Sequence, residues 1–193
     1  GYNTVRFDNE FIRFLMYRNF YDAYEWSYKN GISTWDLLDL VRITRALRPD
    51  GIQWPFAPDG KPSNRLELLT AVNKISHEDA HDALSDVRAT ISLAKLIKQK
   101  QPKLYDYLFK MRSKQDVARL VGSGEPFIYT SGRYSTDTQK TKIVIKIADH
   151  PIYRNARALV YDLNIDPSKF FTLSSEELLE RMKYVKDRDE NTP

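Results

Sequence analysis

Apolar residues along this chain recur first at helical and then at strand spacing. From Asp8 to Arg18, Phe11, Phe14 and Leu15 fall on one side of a helix, with Phe7 one turn earlier. A short aromatic stretch follows, from Phe20 to Tyr28. Leu37, Leu38, Val41 and Ile43 predict a second helix over about Thr34 to Leu47, stopped by the breaker cluster Arg48-Pro49-Asp50-Gly51. Pro55 to Pro62 reads as a loop, and Ser63 as the N-cap of a short helix carrying Leu66, Leu68 and Leu69. The longest helix is expected from near Asp79 to about Lys100. Leu84, Val87, Ile91 and Ala94 form its expected buried stripe, and Lys95, Lys98 and Lys100 suit its C-terminal half. Two shorter helices are expected between Leu104 and Val121.

The character changes after residue 121. Gly122 to Glu125 resembles a linker, and Phe127–Thr130, Ile143–Ile147 and Ala158–Tyr161 read as strands. Ser174 or Ser175, with Glu176 and Glu177 in the first turn, opens a capped helix. The reading is therefore a helix-rich domain over 1–121 and a small, mainly β module over 122–193.

Composition narrows the classes. Hydrophobic residues make up 41% of the 193 residues, enough to build a core and to exclude wholesale disorder. The absence of cysteine removes disulfides, thiolate nucleophiles and cysteine metal sites, and fits a reducing, cytoplasmic setting. No apolar run approaches the roughly 18–20 residues that span a bilayer. A net charge of +4 points only weakly to a polyanionic partner.

Two local patterns carry chemistry. In Asn3-Thr4-Val5-Arg6-Phe7-Asp8-Asn9-Glu10-Phe11, a carboxylate opens an amphipathic helix. In His81-Asp82-Ala83-Leu84-Ser85-Asp86, Asp82 and Asp86 stand four apart at the start of the long helix, with His81 beside its first turn. Asp8, Asp82 and His81 each have an ordinary explanation as residues of a helix start or a surface. Asp86 is harder to explain so, because it lies one turn inside the helix near the expected apolar stripe.

Taken together, Asn-x-x-x-Phe-Asp-x-x-Phe followed by His-Asp-Ala-x-x-Asp resembles the second and third motifs of the DEDDh exonucleases. Gly1-Tyr2-Asn3, Tyr17-Arg18-Asn19-Phe20-Tyr21-Asp22, Trp35-Asp36-Leu37-Leu38-Asp39, Ala46-Leu47-Arg48-Pro49, Arg65-Leu66-Glu67 and Ala80-His81-Asp82-Ala83 narrow the resemblance to the bacterial exodeoxyribonuclease I family. The resemblance implies an α/β fold: part of a ribonuclease H-like domain, mostly its helices, followed by an SH3-like β module. It implies a 3′→5′ exonuclease acting on single-stranded DNA with two divalent cations, Mg2+ or alternatively Mn2+. Asp8 and Asp86 would be metal ligands and His81 the general base, with Asp82 structural.

The resemblance further suggests Arg42, Ser63, Asn64 and Arg65 near DNA phosphates, and Tyr28 and Trp26 stacked on bases. Arg48 and Tyr107 would meet the C-terminal tail of single-strand-binding protein. The family's first motif, Asp-x-Glu on an opening strand, has no counterpart here. The polypeptide by itself is therefore expected to be inactive and, with an incomplete sheet, to self-associate. Two rivals are weighed. A phosphohydrolase built on His81-Asp82 lacks ligands, since only His77 and His150 remain. A non-catalytic module that binds single-stranded nucleic acid or serves as a scaffold is the other.

Overall fold

The computed structural model describes residues 1–77, 82–153 and 157–182. Contacts divide the chain into two compact units, one of Gly1–Val117 with Thr130–Thr141, the other of Ala118–Tyr129 with Lys142–Pro193.

In the first unit, α1 (Asp8–Arg18), α2 (Leu37–Leu47), α3 (Leu66–Val72), α4 (Ala83–Lys100) and α5 (Pro102–Lys110) follow one another, and α6 (Lys114–Val121) comes after them. Asp36 caps α2: its Oδ1 accepts the Leu38 amide at 3.0 Å. The same carboxylate accepts the amides of Asn3 at 2.7 Å and Val5 at 3.2 Å, tying the opening residues to the helix start. Leu37, Leu40, Val41 and Thr44 follow at 3.6-residue spacing and are buried. They meet Ile52, Leu66, Leu69, Ala89, Leu93 and Ile97 in one core. Trp35 closes one side, edge-on to Tyr105 and Phe109 at 5.4 and 5.3 Å. The connection from α2 to α3 turns at Gly51, whose φ of 80° suits glycine. It is held by a two-way amide clamp, Gln53 N to Asn73 Oδ1 and Asn73 Nδ2 to the Gln53 carbonyl.

Three expectations change. α3 starts after Arg65, and Ser63 is buried upstream without capping it. On α2, Leu40 takes the core position expected of Leu38 and Ile43, which are half-buried. The stripe expected on α4 is the larger correction. Leu84, Val87 and Ile91 are exposed, while Ala89, Thr90, Leu93 and Ile97 are buried. α4 has two apolar faces, and the one offset by about half a turn packs on α2, α3 and α5. The apolar side of α1 is likewise open: Phe11, Phe14 and Leu15 are exposed, and with Arg18 and Asn19 they line a cavity of about 440 Å³.

In the second unit β1 (Phe127–Thr130), β2 (Thr141–Asp149) and β3 (Ala158–Asp162) form a sheet in that order. β2 and β3 are antiparallel, with Val144 opposite Asp162, and a bulge lies between Lys146 and Ala148. Val144 is the buried residue of β2, whereas Ile143 and Ile147 face outward. Phe127 and Phe170 join it inside, Phe170 edge-on to Tyr161. Asp162 is buried, ion-paired with Lys142 and bonded by the amide and side chain of Asn164, both at 3.0 Å. Burial pushes its carboxyl upward, but the Lys142 and Asn164 hydrogen bonds outweigh this and hold it below the usual range. The closing helix α7 (Ser175–Met182) has a reciprocal capping box between Ser174 and Glu177.

Leu93→Ala, at a position 1% exposed, should lower stability by about 2–5 kcal/mol in urea denaturation of the complete gene product. For Asp162 the carboxyl is depressed in the folded state. Its contribution is complete above the ordinary aspartate value near pH ~4 and disappears as pH falls below it. Melting temperatures across that range should fall more steeply for wild type than for Asp162→Asn.

Candidate nucleic-acid and metal site

Asp8 is the first residue of α1, with an exposed side chain. Asp82 is the N-cap of α4, its carboxylate accepting the Ser85 amide at 3.0 Å, which agrees with a structural role. His81 lies outside the described residues. Asp86 stands in the first turn of α4 with its side chain 43% exposed, and its Oδ1 is 2.7 Å from Nε2 of His77. His77 is enclosed, only 5% of its side chain being accessible, and its Nδ1 meets Thr70 Oγ1 at 3.1 Å. Asp8 and Asp86 stand on separate helices. Among the described residues no three His, Asp or Glu side chains gather as a metal-binding group. Their carboxylate oxygens are nevertheless the donors that hard cations such as Mg2+ prefer.

The residues expected near phosphates cluster around the connection between α2 and α3. Arg42 Nη1 pairs with Asp39 at 2.8 Å, and its Nε is enclosed without an acceptor among the described residues. Arg65 is largely exposed and pairs with Glu67. Ser63 is buried, its Oγ accepting the Arg65 amide at 3.4 Å. The Asn64 carbonyl accepts the Tyr2 hydroxyl. Burial pushes that hydroxyl far above the usual tyrosine range, against the opposing pull of Arg42, so Tyr2 remains a donor.

Beneath these residues lies Arg45, which sequence reasoning missed as a site component. Its Nη1 donates to the Ser63 carbonyl at 2.7 Å and to Asn64 Oδ1 at 3.3 Å, and its Nη2 to the Pro55 carbonyl at 3.0 Å. Its Cζ lies over Trp54 and Phe56, at 5.6 and 5.1 Å from the ring centroids. One signal was available: Arg45 follows Val41 by four residues, on the edge of the apolar face of α2. His77 left less trace, because its partners are reached only through folding.

Tyr28 is 62% exposed, as a stacking residue must be. Trp26 is half-buried and donates to the Ala23 carbonyl at 2.9 Å. Arg48, at the C-terminus of α2, is exposed and donates to the Leu47 carbonyl, and Tyr107 on α5 is also exposed.

Comparison with known proteins places these residues in context. A family model described as "Exonuclease" matches residues 1–94, and one described as "Exonuclease I SH3-like domain" matches 112–192. Exodeoxyribonuclease I of Haemophilus influenzae is 49% identical over 180 residues, covering 92% of this chain and 38% of the relative. A crystal structure of E. coli Exonuclease I in complex with a dA16 oligonucleotide superposes with a TM-score of 0.89 at 47% identity. It covers 96% of this chain and 40% of that one. An ExoI/SSB-Ct complex gives a TM-score of 0.89 at 45% identity, covering 100% and 42%. The chain thus spans less than half the length of the relatives it matches. No helix among the described residues is long and apolar enough to cross a membrane.

Arg45→Met removes three hydrogen bonds and leaves the buried Ser63 carbonyl without its donor, at about 1–3 kcal/mol, while the Pro55 carbonyl keeps the Ser63 amide. Amide hydrogen exchange across residues 53–65 should rise sharply in this variant, while Arg48→Met should leave that segment unchanged.

Proposed function

We propose, because the chain belongs to the exodeoxyribonuclease I family, that it serves within a DEDDh-type 3′→5′ exonuclease acting on single-stranded DNA. The observation that carries this reading is Asp86, whose half-exposed carboxylate has one oxygen held by an enclosed histidine in the segment that matches the exonuclease model. Unlike a carboxylate that only caps a helix, Asp86 does not satisfy the first amides of α4, because Asp82 already does.

Asp86 and Asp8 would be two of the carboxylates that hold divalent cations, completed by ligands outside these two. Such ions, when bound, would supply Lewis-acid stabilisation of the charge that develops on the phosphodiester oxygens. The chain's own work is positional. Asp86, held by His77 through one oxygen, would offer the other to the metal. His81 orients the attacking water and takes its proton as the new P–O bond forms and the P–O3′ bond breaks.

Arg42, Asn64 and Arg65 suit phosphate oxygens through charge-assisted hydrogen bonds, with Ser63 shaping their backbone. Tyr28, and Trp26 beside it, supply ring faces, each worth about 1–3 kcal/mol per stacked base. Support comes from the relative solved with a dA16 oligonucleotide. By the same reasoning from the ExoI/SSB-Ct complex, Arg48 and Tyr107 would meet the acidic tail of single-strand-binding protein. The chemistry is assigned to the domain over 1–121, and the SH3-like module to 122–193.

The complete gene product, given a 5′-labelled oligonucleotide and Mg2+, should shorten it stepwise from the 3′ end and stop on adding EDTA. His81→Ala should lose about 10²–10⁴ in rate and Asp86→Ala should be inactive. Binding of the oligonucleotide without any cleavage would leave only a binding module.

A further inference from the structure

We propose that His77 is the positioning residue for Asp86, fixing the carboxylate so that its second oxygen is presented for metal binding; this rests on the nuclease reading above. The geometry is a relay across two helices. Thr70 on α3 is 1% exposed, and its Oγ1 lies 3.0 Å from the carbonyls of both Leu66 and Glu67. His77 Nδ1 meets that oxygen at 3.1 Å, and Nε2 reaches Asp86 Oδ1 on α4 at 2.7 Å.

The proton count fixes the direction of the last bond. The Thr70 hydroxyl has one proton. If it points at Nδ1, the neutral ring carries its proton on Nε2 and donates to Asp86. If it points at a helix carbonyl, Nδ1 must donate to Oγ1. A neutral ring would then set the Nε2 lone pair against a carboxylate, so Nε2 must carry a proton as well. In both satisfied arrangements Nε2–H donates to Oδ1.

Asp86 loses rotamer freedom on one oxygen only. The other has no partner among the described residues, and the side chain is 43% exposed. A carboxylate held in this way binds a cation without first being ordered, and partners of this kind are worth about 10–100-fold in metal affinity. His77 is therefore more than a packing residue. Both nitrogens of this enclosed ring are met, one from α3 and one from α4, so the ring joins Asp86 to a buried threonine rather than leaving it on a mobile surface group.

The test measures Mn2+ affinity by electron paramagnetic resonance on the complete gene product without DNA. His77→Leu should bind Mn2+ about 10–100-fold more weakly. His77→Gln, whose amide nitrogen reaches the position of Nε2, should recover most of the loss. If the leucine variant does not fold, His77→Asn takes its place, because its shorter amide matches Nδ1 and falls short of Asp86. Affinity within about twofold of wild type for the leucine or asparagine variant would overturn the proposal, as would failure of glutamine to rescue. Asp86→Ala separates the two levels. If it too binds Mn2+ normally, the metal-site reading fails; if it alone weakens binding, only the role of His77 fails.

Discussion

One carboxylate, that of Asp36, organises the first unit. It accepts the amide that opens α2 and, from the other direction, the amides of Asn3 and Val5. Three backbone donors on one side chain join a helix start to a segment more than thirty residues away in sequence. The position of α1 follows from this, because α1 begins three residues after Val5, with Asp8 as its first residue. Tyr2, carried on the same tethered segment, fixes the Asn64 carbonyl from one side while Arg45 holds the Asn64 side chain from the other. The residues proposed for metal, at Asp8, and for phosphate, at Asn64 and Arg65, therefore share one anchor.

Much of this was legible in the residues. The helices and the strands are local matters of periodicity and turn chemistry, and the end of α2, the end of α6 and both bounds of β1 lie where the spacing puts them. The chemical motifs were legible because their spacing is local too. Which face of α4 is buried was not. Leu84, Val87 and Ile91 form as regular a stripe as Ala89, Leu93 and Ile97, and only the neighbours α2, α3 and α5 distinguish them. The same limit hid the histidine on Asp86. Thr70 lies on α3, His77 beyond its end and Asp86 on α4, so the three meet only in the folded chain.

Buried polar groups in the two units solve their problems differently. Arg45 keeps its charge under burial by giving three hydrogen bonds to carbonyl oxygens and by lying across two aromatic faces, although burial still draws its pKa downward. Asp162 relies on a cation and an asparagine next to it on the sheet edge. The first arrangement shapes a loop, the second pins strand register opposite Val144.

The double-faced character of α4 has an evolutionary consequence. One side of the helix is committed to the core by Ala89, Leu93 and Ile97, a second is apolar and open, and Asp86 occupies the border near its start. The exposed polar positions left over are Arg88, Ser92 and Lys95 along the helix and Lys98, Gln99 and Lys100 at its end. Neutral drift in this helix is confined to those positions. Sequence change elsewhere along it must come as compensated pairs, so α4 should diverge more slowly among related chains than α1, where only Asn9 is buried.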